Sequence, residues 1–344
     1  MKARQNVTRV GKFMRKVRLE ALSATGAYVL TRAYQRPVGA ILRLQRVRPP
    51  RSDRFQPNRA MEITPNFLNS MIAKLRRRKV EVVSLDEIIH RLIERDPRGG
   101  VCFTCDGGYV DHSEWVYPIF RKHDLPFAAF VPTGFVDQIA DLWWLVLEAV
   151  IRKTDQLALV LDGADQRFEC RSAREKTQLF EDLSSWLWER PSDDDIRRCV
   201  GDLAARYEVD LTALRTNTCM GWDEIATLAA DPLVTIGAQT IKHPILAKLP
   251  EDKVRSELAM SRAVVESAIG VRPDHLVYPF GDDRAAGPRE FAIAAELGFK
   301  SALTSRPGVL LARHRAELMA LPRVTLDGEF QRLRYLPALL AGLG

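Results

Sequence analysis

The chain has 344 residues, 46% hydrophobic and 28% charged, an ordinary soluble composition that suits one large α/β domain or one domain with an insertion. No run of about 18 apolar residues occurs, which excludes a membrane-spanning helix. The net charge of +7 is uneven: residues 1–50 hold 12 Lys/Arg against the single acid Glu20, a local +11 that leaves −4 for the rest.

Residues 1–36 read as a basic helical arm. Such an arm suits an anionic membrane surface or a solvated helix face; no nucleic-acid partner is expected. The first apolar patch is interrupted by Ser23, Thr25 and Gly26, unlike the compact segment of a secretory signal. The expectation is therefore a cytoplasmic, at most membrane-peripheral, protein.

Residues 38–44 suit a first strand and 48–60 a loop. Thr64 caps a helix starting near Pro65, residues 80–84 read as a short strand, and Ser84 with Glu87 forms a capping box for the next helix. Strands follow at 100–105, 127–131, 234–238 and 275–278, with helices near 113–123, 252–268 and 289–297. This alternation is that of βα units with a parallel sheet or barrel. Residues 142–220 break the pattern. They read as an inserted hairpin turning at Asp162-Gly163 and two helices near 173–189 and 194–207, placed to wall a groove.

The five cysteines are too scattered for a disulfide framework. Cys102 and Cys105 form C-x-x-C within a strand, where residues three apart face opposite sides, so core packing is expected rather than a shared metal. In parallel α/β folds ligands bind at the carboxyl ends of strands. That rule singles out Asp106, Thr133, Gln239, His243 and Asp282, with His314 on a later loop.

Several of these residues sit in recognisable motifs. Phe103-Thr104-Cys105-Asp106-Gly107-Gly108-Tyr109 resembles the F-T-F-D-D-G-Y signature of the polysaccharide deacetylases (NodB homology, carbohydrate esterase family four). Ile236-Gly237-Ala238-Gln239-Thr240-Ile241-Lys242-His243-Pro244 resembles I-G-x-H-T-x-x-H-P, and Arg272-Pro273 with Tyr278-Pro279-Phe280-Gly281-Asp282 resembles the third motif. Trp222-Asp223-Glu224 and Leu321-Pro322-Arg323 also match in order.

The resemblance implies a distorted (β/α) barrel of about seven strands over residues 37–335, followed by a short tail, 336–344. It implies metal-dependent hydrolysis of acetyl groups from amino-sugar oligomers or polysaccharides, with zinc or a similar divalent cofactor. It makes Asp106 the general base, Arg272 its orienting partner and His314 the general acid. Tyr109, Thr133, Trp143, Trp144, Tyr278 and Phe280 are the expected substrate-binding residues.

Of the three metal-ligand positions only His243 is kept. Gly107 stands for the ligand Asp and Gln239 for the first ligand His, and the Y-H-R-V segment reads Leu44-Gln45-Arg46-Val47. A catalytic zinc site ordinarily uses three protein ligands and an open position, and a general base alone supplies only about 10²–10⁴-fold. Three readings follow: a family member with weakened or lost hydrolysis, a deacetylase with ligands rearranged onto Asp106, Asp111, His112 and His243, or a non-catalytic glycan-binding or membrane-surface scaffold.

Overall fold

The computed structural model describes residues 2–161 and 164–343, with side chains described from Met14 onward except Arg32. The expected hairpin turn, 162–163, lies outside the described residues.

Seven parallel strands close into a barrel. They are β1 (Ala40–Leu44), β2 (Val101–Asp106), β3 (Phe127–Val131), β4 (Val234–Ala238), β5 (His275–Val277), β6 (Ser301–Pro307) and β7 (Leu321–Thr325). Sequential strands are neighbours, and β7 returns to β1 with Leu42 opposite Val324. Parallel neighbours need crossover connections, and the intervening helices supply them.

Strand alternation sorts the side chains into two layers. In β2, Phe103 and Cys105 pack outward against Leu68 and Phe120, while Cys102 joins Ile41, Phe130, Leu303 and Leu321 inside. The two thiols are thus buried on opposite faces, as the spacing predicts, and desolvation raises both thiol pKa values. Helix Leu85–Glu94 sends Leu85, Ile88, Ile89 and Leu92 into the same inner cluster and plugs the amino end of the barrel. Gly237 is needed here. A Cβ at that position would lie 2.3 Å from the Phe130 ring.

Residues 80–84 form no strand; Val82 makes a single bridge to Val101. Conversely, β6 and β7 carry no strand signal in the sequence. Ser301–Pro307 is largely polar and Leu321–Thr325 contains Pro322 and Arg323.

The insertion comprises helix Trp143–Lys153, the antiparallel hairpin Gln156–Leu161 with Ala164–Glu169, and helices Ala173–Trp188, Asp193–Arg206 and Leu211–Thr216. Ser172 opens the second helix with a capping box to Glu175. These pieces bury an apolar cluster of their own, including Leu147, Leu157, Phe180, Ile196 and Leu203, over the carboxyl end of the strands.

The basic arm is helical, Lys2–Thr25 then Tyr28–Gln35, but it is not free along its whole length. Leu19 is buried, Arg15 pairs with Asp327 at 2.9 Å, and Glu20 accepts from Arg332, Arg334 and Tyr335. The final segment is likewise no loose tail: Leu336, Ala338 and Leu339 are buried in the main core. Arg43 and Arg46, counted by composition with the arm, lie beyond it in the barrel.

Candidate functional site

At the carboxyl end of the strands lies a cavity of about 230 Å³. Its floor belongs to the barrel: Arg43, Asp106, Gly107, Tyr109, Gln239 and His243. Its roof is aromatic: Trp143 and Trp144 from one inserted helix, Phe180, Ser184 and Trp188 from the next, and Phe280 from the loop after β5. Phe180, Ser184 and Trp188 recur at i, i+4 and i+8 and so share one helix face.

Asp106 is the last residue of β2 and points inward. Both its oxygens are taken by guanidinium groups. Arg323 from β7 is bidentate, Nη1 to Oδ1 and Nη2 to Oδ2 at 2.7 Å each, and Arg43 from β1 gives Nε to Oδ2 at 2.7 Å. Bidentate arginine–carboxylate bonds are among the strongest hydrogen bonds in proteins. Arg323 is spent in this way: Nε donates to the Thr304 carbonyl and Nη1 also to Thr104. Arg43 is not, because its terminal nitrogens have no hydrogen-bond partner among the described residues. Burial raises the Asp106 carboxyl pKa, but Arg323 and Arg43 outweigh it and hold the group below its ordinary value.

The two substituted positions are bonded to each other. Gln239 Oε1 accepts from the Gly107 backbone N–H at 2.7 Å. Gly107 has φ +99°, and a Cβ there would lie 2.6 Å from the Tyr109 ring. The space beside Gly107 is therefore filled by Tyr109, itself covered by the Arg46 guanidinium 5.0 Å from its centroid.

His243 is buried among rings, with centroid distances of 5.6 Å to Phe135, 5.3 Å to Trp144 and 4.8 Å to Phe280. Its Nδ1 has no hydrogen-bond partner among the described residues. Desolvation, helped by Arg197, lowers its pKa to about 3, so the ring is neutral at physiological pH. His243, Thr240 and Phe280 all adopt positive φ (55°, 64° and 60°), a backbone region unfavourable to such side chains and one that collects at binding sites.

These residues do not fit a divalent metal. Gly107 offers no side chain, the Gln239 carbonyl is committed to a backbone amide, and both Asp106 oxygens are held by cations. Among the described residues no group of three or more His, Cys, Asp and Glu could hold a metal ion. Asp111 and His112 do not come to His243. Arg46 holds both Asp111 oxygens, at 2.8 and 3.0 Å, and His112 Nε2 is paired with the Gln45 carbonyl at 2.7 Å. The helix expected to start at Ser113 begins instead with a wide turn, His112–Val116, that keeps the His112 ring buried.

Four further residues fall elsewhere. Arg272 is exposed in the loop ahead of β5, at the amino end of the barrel, and Arg323 holds Asp106 in its stead. His314 lies just beyond Leu310, which pairs with Gly39 at the amino end of β1; its Nδ1 accepts from the Leu311 N–H. Tyr278 points outward onto Phe291 and donates to the Met319 carbonyl at 2.9 Å. Thr133 is fully buried and does not line the cavity. Trp143, Trp144, Tyr109 and Phe280 do line the cavity. Sequence reasoning missed Arg43 and Arg323. The signal was a charged residue at an inward position of an apolar strand, two residues from Ile41 and from Leu321.

The polysaccharide deacetylase family model matches residues 195–302. No curated protein matches. Among solved structures, the chain is similar to the Streptococcus pyogenes deacetylase PplD in complex with acetate, with a TM-score of 0.58 and 14% identity over 88% of this chain and 97% of that one. It is similar to IcaB from Ammonifex degensii, with a TM-score of 0.55 and 17% identity over 88% and 97%. It is also similar to the deacetylase domain of BpsB from Bordetella bronchiseptica, with a TM-score of 0.52 and 16% identity over 83% and 95%. At these identities the likeness is one of fold. The closed barrel and the matched segment, 195–302, agree with the ordered motifs, so the chain has the fold of the polysaccharide deacetylases and carries a segment similar to that family.

Proposed function

We propose that this chain keeps the sugar-binding cavity of its family and has lost metal-dependent deacetylation, so that it acts as a glycan-binding protein. One observation carries the reading: the groups at the three motif positions 106, 107 and 239 are spent on partners inside the protein. A general base needs an available lone pair and a pKa near the working pH. Asp106 has three charge-assisted bonds and a depressed pKa. The aromatic roof suits the apolar faces of sugar rings.

The test is acetate release from acetylated chito-oligosaccharides by the purified protein, with and without EDTA. No EDTA-sensitive release is expected; clear EDTA-sensitive release overturns the reading. The rearranged-ligand alternative requires Asp111 to leave Arg46 and His112 to leave the Gln45 carbonyl. Micromolar zinc, cobalt or manganese binding in calorimetry would support it.

A surface role for the arm is compatible with this function. Val29, Leu30 and Tyr34 are 57%, 76% and 91% exposed on the second helix of the arm, whose sequence carries Arg32 and is followed by Arg36. That combination suits an anionic lipid surface. Co-sedimentation with phosphatidylserine vesicles should fall on Leu30→Asp with Tyr34→Asp; unchanged binding refutes it.

A further inference from the structure

The charges beneath the aromatic cavity do not balance. Arg43 and Asp106 are the charged residues lining it, and Arg323 lies directly under Asp106. Two guanidinium groups therefore share one carboxylate. The adjoining cleft differs. There Arg46 has Asp111, Arg51 has Glu62 and Glu148, and Arg152 also has Glu148.

An unanswered buried cation is costly. Arg323 is fully occupied and cannot face a ligand. Arg43 can: its Nε anchors it on Asp106, its side chain is 12% exposed, and its two terminal nitrogens remain for a partner at the cavity. A guanidinium fixed at one edge presents a planar pair of donors, the geometry that recognises a carboxylate. Above it stand Trp143, Trp144, Trp188 and Phe280, which are ring-sized apolar faces, with Asn58, Ser184 and Gln45 as polar groups on the walls.

We propose that the ligand of this cavity is an acidic sugar, a uronic acid unit of a polysaccharide, with its carboxylate on Arg43 and its ring against the tryptophans. This rests on the reading of the cavity as a glycan site and adds the charge of the glycan. Arg43 then occupies, as a resident organic cation beside Asp106, a role of charge rather than of Lewis acid.

The test uses the intact protein and its tryptophan fluorescence, since three tryptophans line the cavity. The probes are uronic acid trimers of galacto, gluco and manno configuration, their neutral methyl esters, chitotriose and sodium acetate. At least one acid trimer is expected to bind ten-fold or more tightly than its methyl ester. Arg43→Gln should remove that preference, the acid trimer then binding no more tightly than its ester. Arg43→Lys, which keeps the charge and loses the fork, should be intermediate. Equal affinity of acid and ester overturns the proposal while leaving a glycan site standing. Binding of none of the sugars overturns both. Acetate binding as tightly as the acid trimers overturns the sugar part. The acid-to-ester comparison needs no variant, so it decides the matter even if Arg43→Gln fails to fold.

Discussion

The floor and the roof of the cavity come from different parts of the chain and are held by different forces. The floor is barrel, and its motif positions are locked: Asp106 by two arginines and Gly107 by Gln239. The roof is insertion and loop, and its members meet by ring packing, Trp143 on Trp144 at 5.8 Å and Trp188 on Phe280 at 4.9 Å. A locked floor suits neither a metal nor a free base, whereas an aromatic roof keeps its value for binding. Perturbing the locked floor residues should therefore cost stability, and perturbing the roof, or Arg43 with its unpartnered terminal nitrogens, should cost affinity.

The largest effect belongs to Arg323. Without Arg323, Asp106 keeps only Arg43 and its buried Oδ1 has no donor; an unsatisfied buried acceptor costs about 1–3 kcal/mol and more when charged. Arg323→Met should lower the unfolding free energy by about 3 kcal/mol in urea melts, the top of that range, because the acceptor is charged. A loss under about 1 kcal/mol for the single variant would break the picture of a locked floor.

The second test is acid sensitivity. His243 has a folded pKa lowered from 6.5 to about 3, so the unfolded chain takes up this proton first as the pH falls. No stability is lost above about pH 6.5. Between there and pH 3 this one group removes about 1.4 kcal/mol per pH unit, and below pH 3 its contribution levels off. His243→Asn, whose side chain tolerates the positive φ at this position, should flatten that limb of the stability–pH curve. An unchanged slope means that the ring is not buried as a neutral base.

The third is a restoration of the family's ligands. Gly107→Asp with Gln239→His supplies the missing donors on paper. In this fold the new Cβ meets the Tyr109 ring at 2.6 Å and must accept φ +99°. The double variant should lose about 1–3 kcal/mol of stability and gain no micromolar zinc site by calorimetry. Tight zinc binding with acetate release would mean that Tyr109 yields easily and that only the donors were lost.

How far the sequence reaches follows the same division. The barrel was legible because strand–helix alternation and the motif order are local patterns, and residues 127–131 and 234–238 are strands to the residue. The strands β6 and β7 were not legible, since their inward polar residues hide the apolar signal. Asp106, Gly107, Gln239 and His243 were legible because each lies in a motif at a strand end. The partner of Asp106 was not. It comes from a strand 217 residues away, and a motif-based alignment pointed to Arg272, at the other end of the barrel. Pairing between distant strands is set by barrel closure, which no local pattern encodes.

The smallest effect should come from the roof. Trp188 is only half-buried, caps Phe280 at 4.9 Å and lies under the Arg284 guanidinium at 4.8 Å. Trp188→Ala removes one ring face from the cavity but opens no hole in the closed core. Aromatic stacking of this kind is worth about 0.5–1.5 kcal/mol, so glycan affinity should weaken by roughly 2- to 13-fold, while the urea midpoint stays nearly unchanged. A large stability loss with unchanged affinity would invert the assignment, making the Trp188 ring structural and leaving recognition to Arg43 and the inner rings.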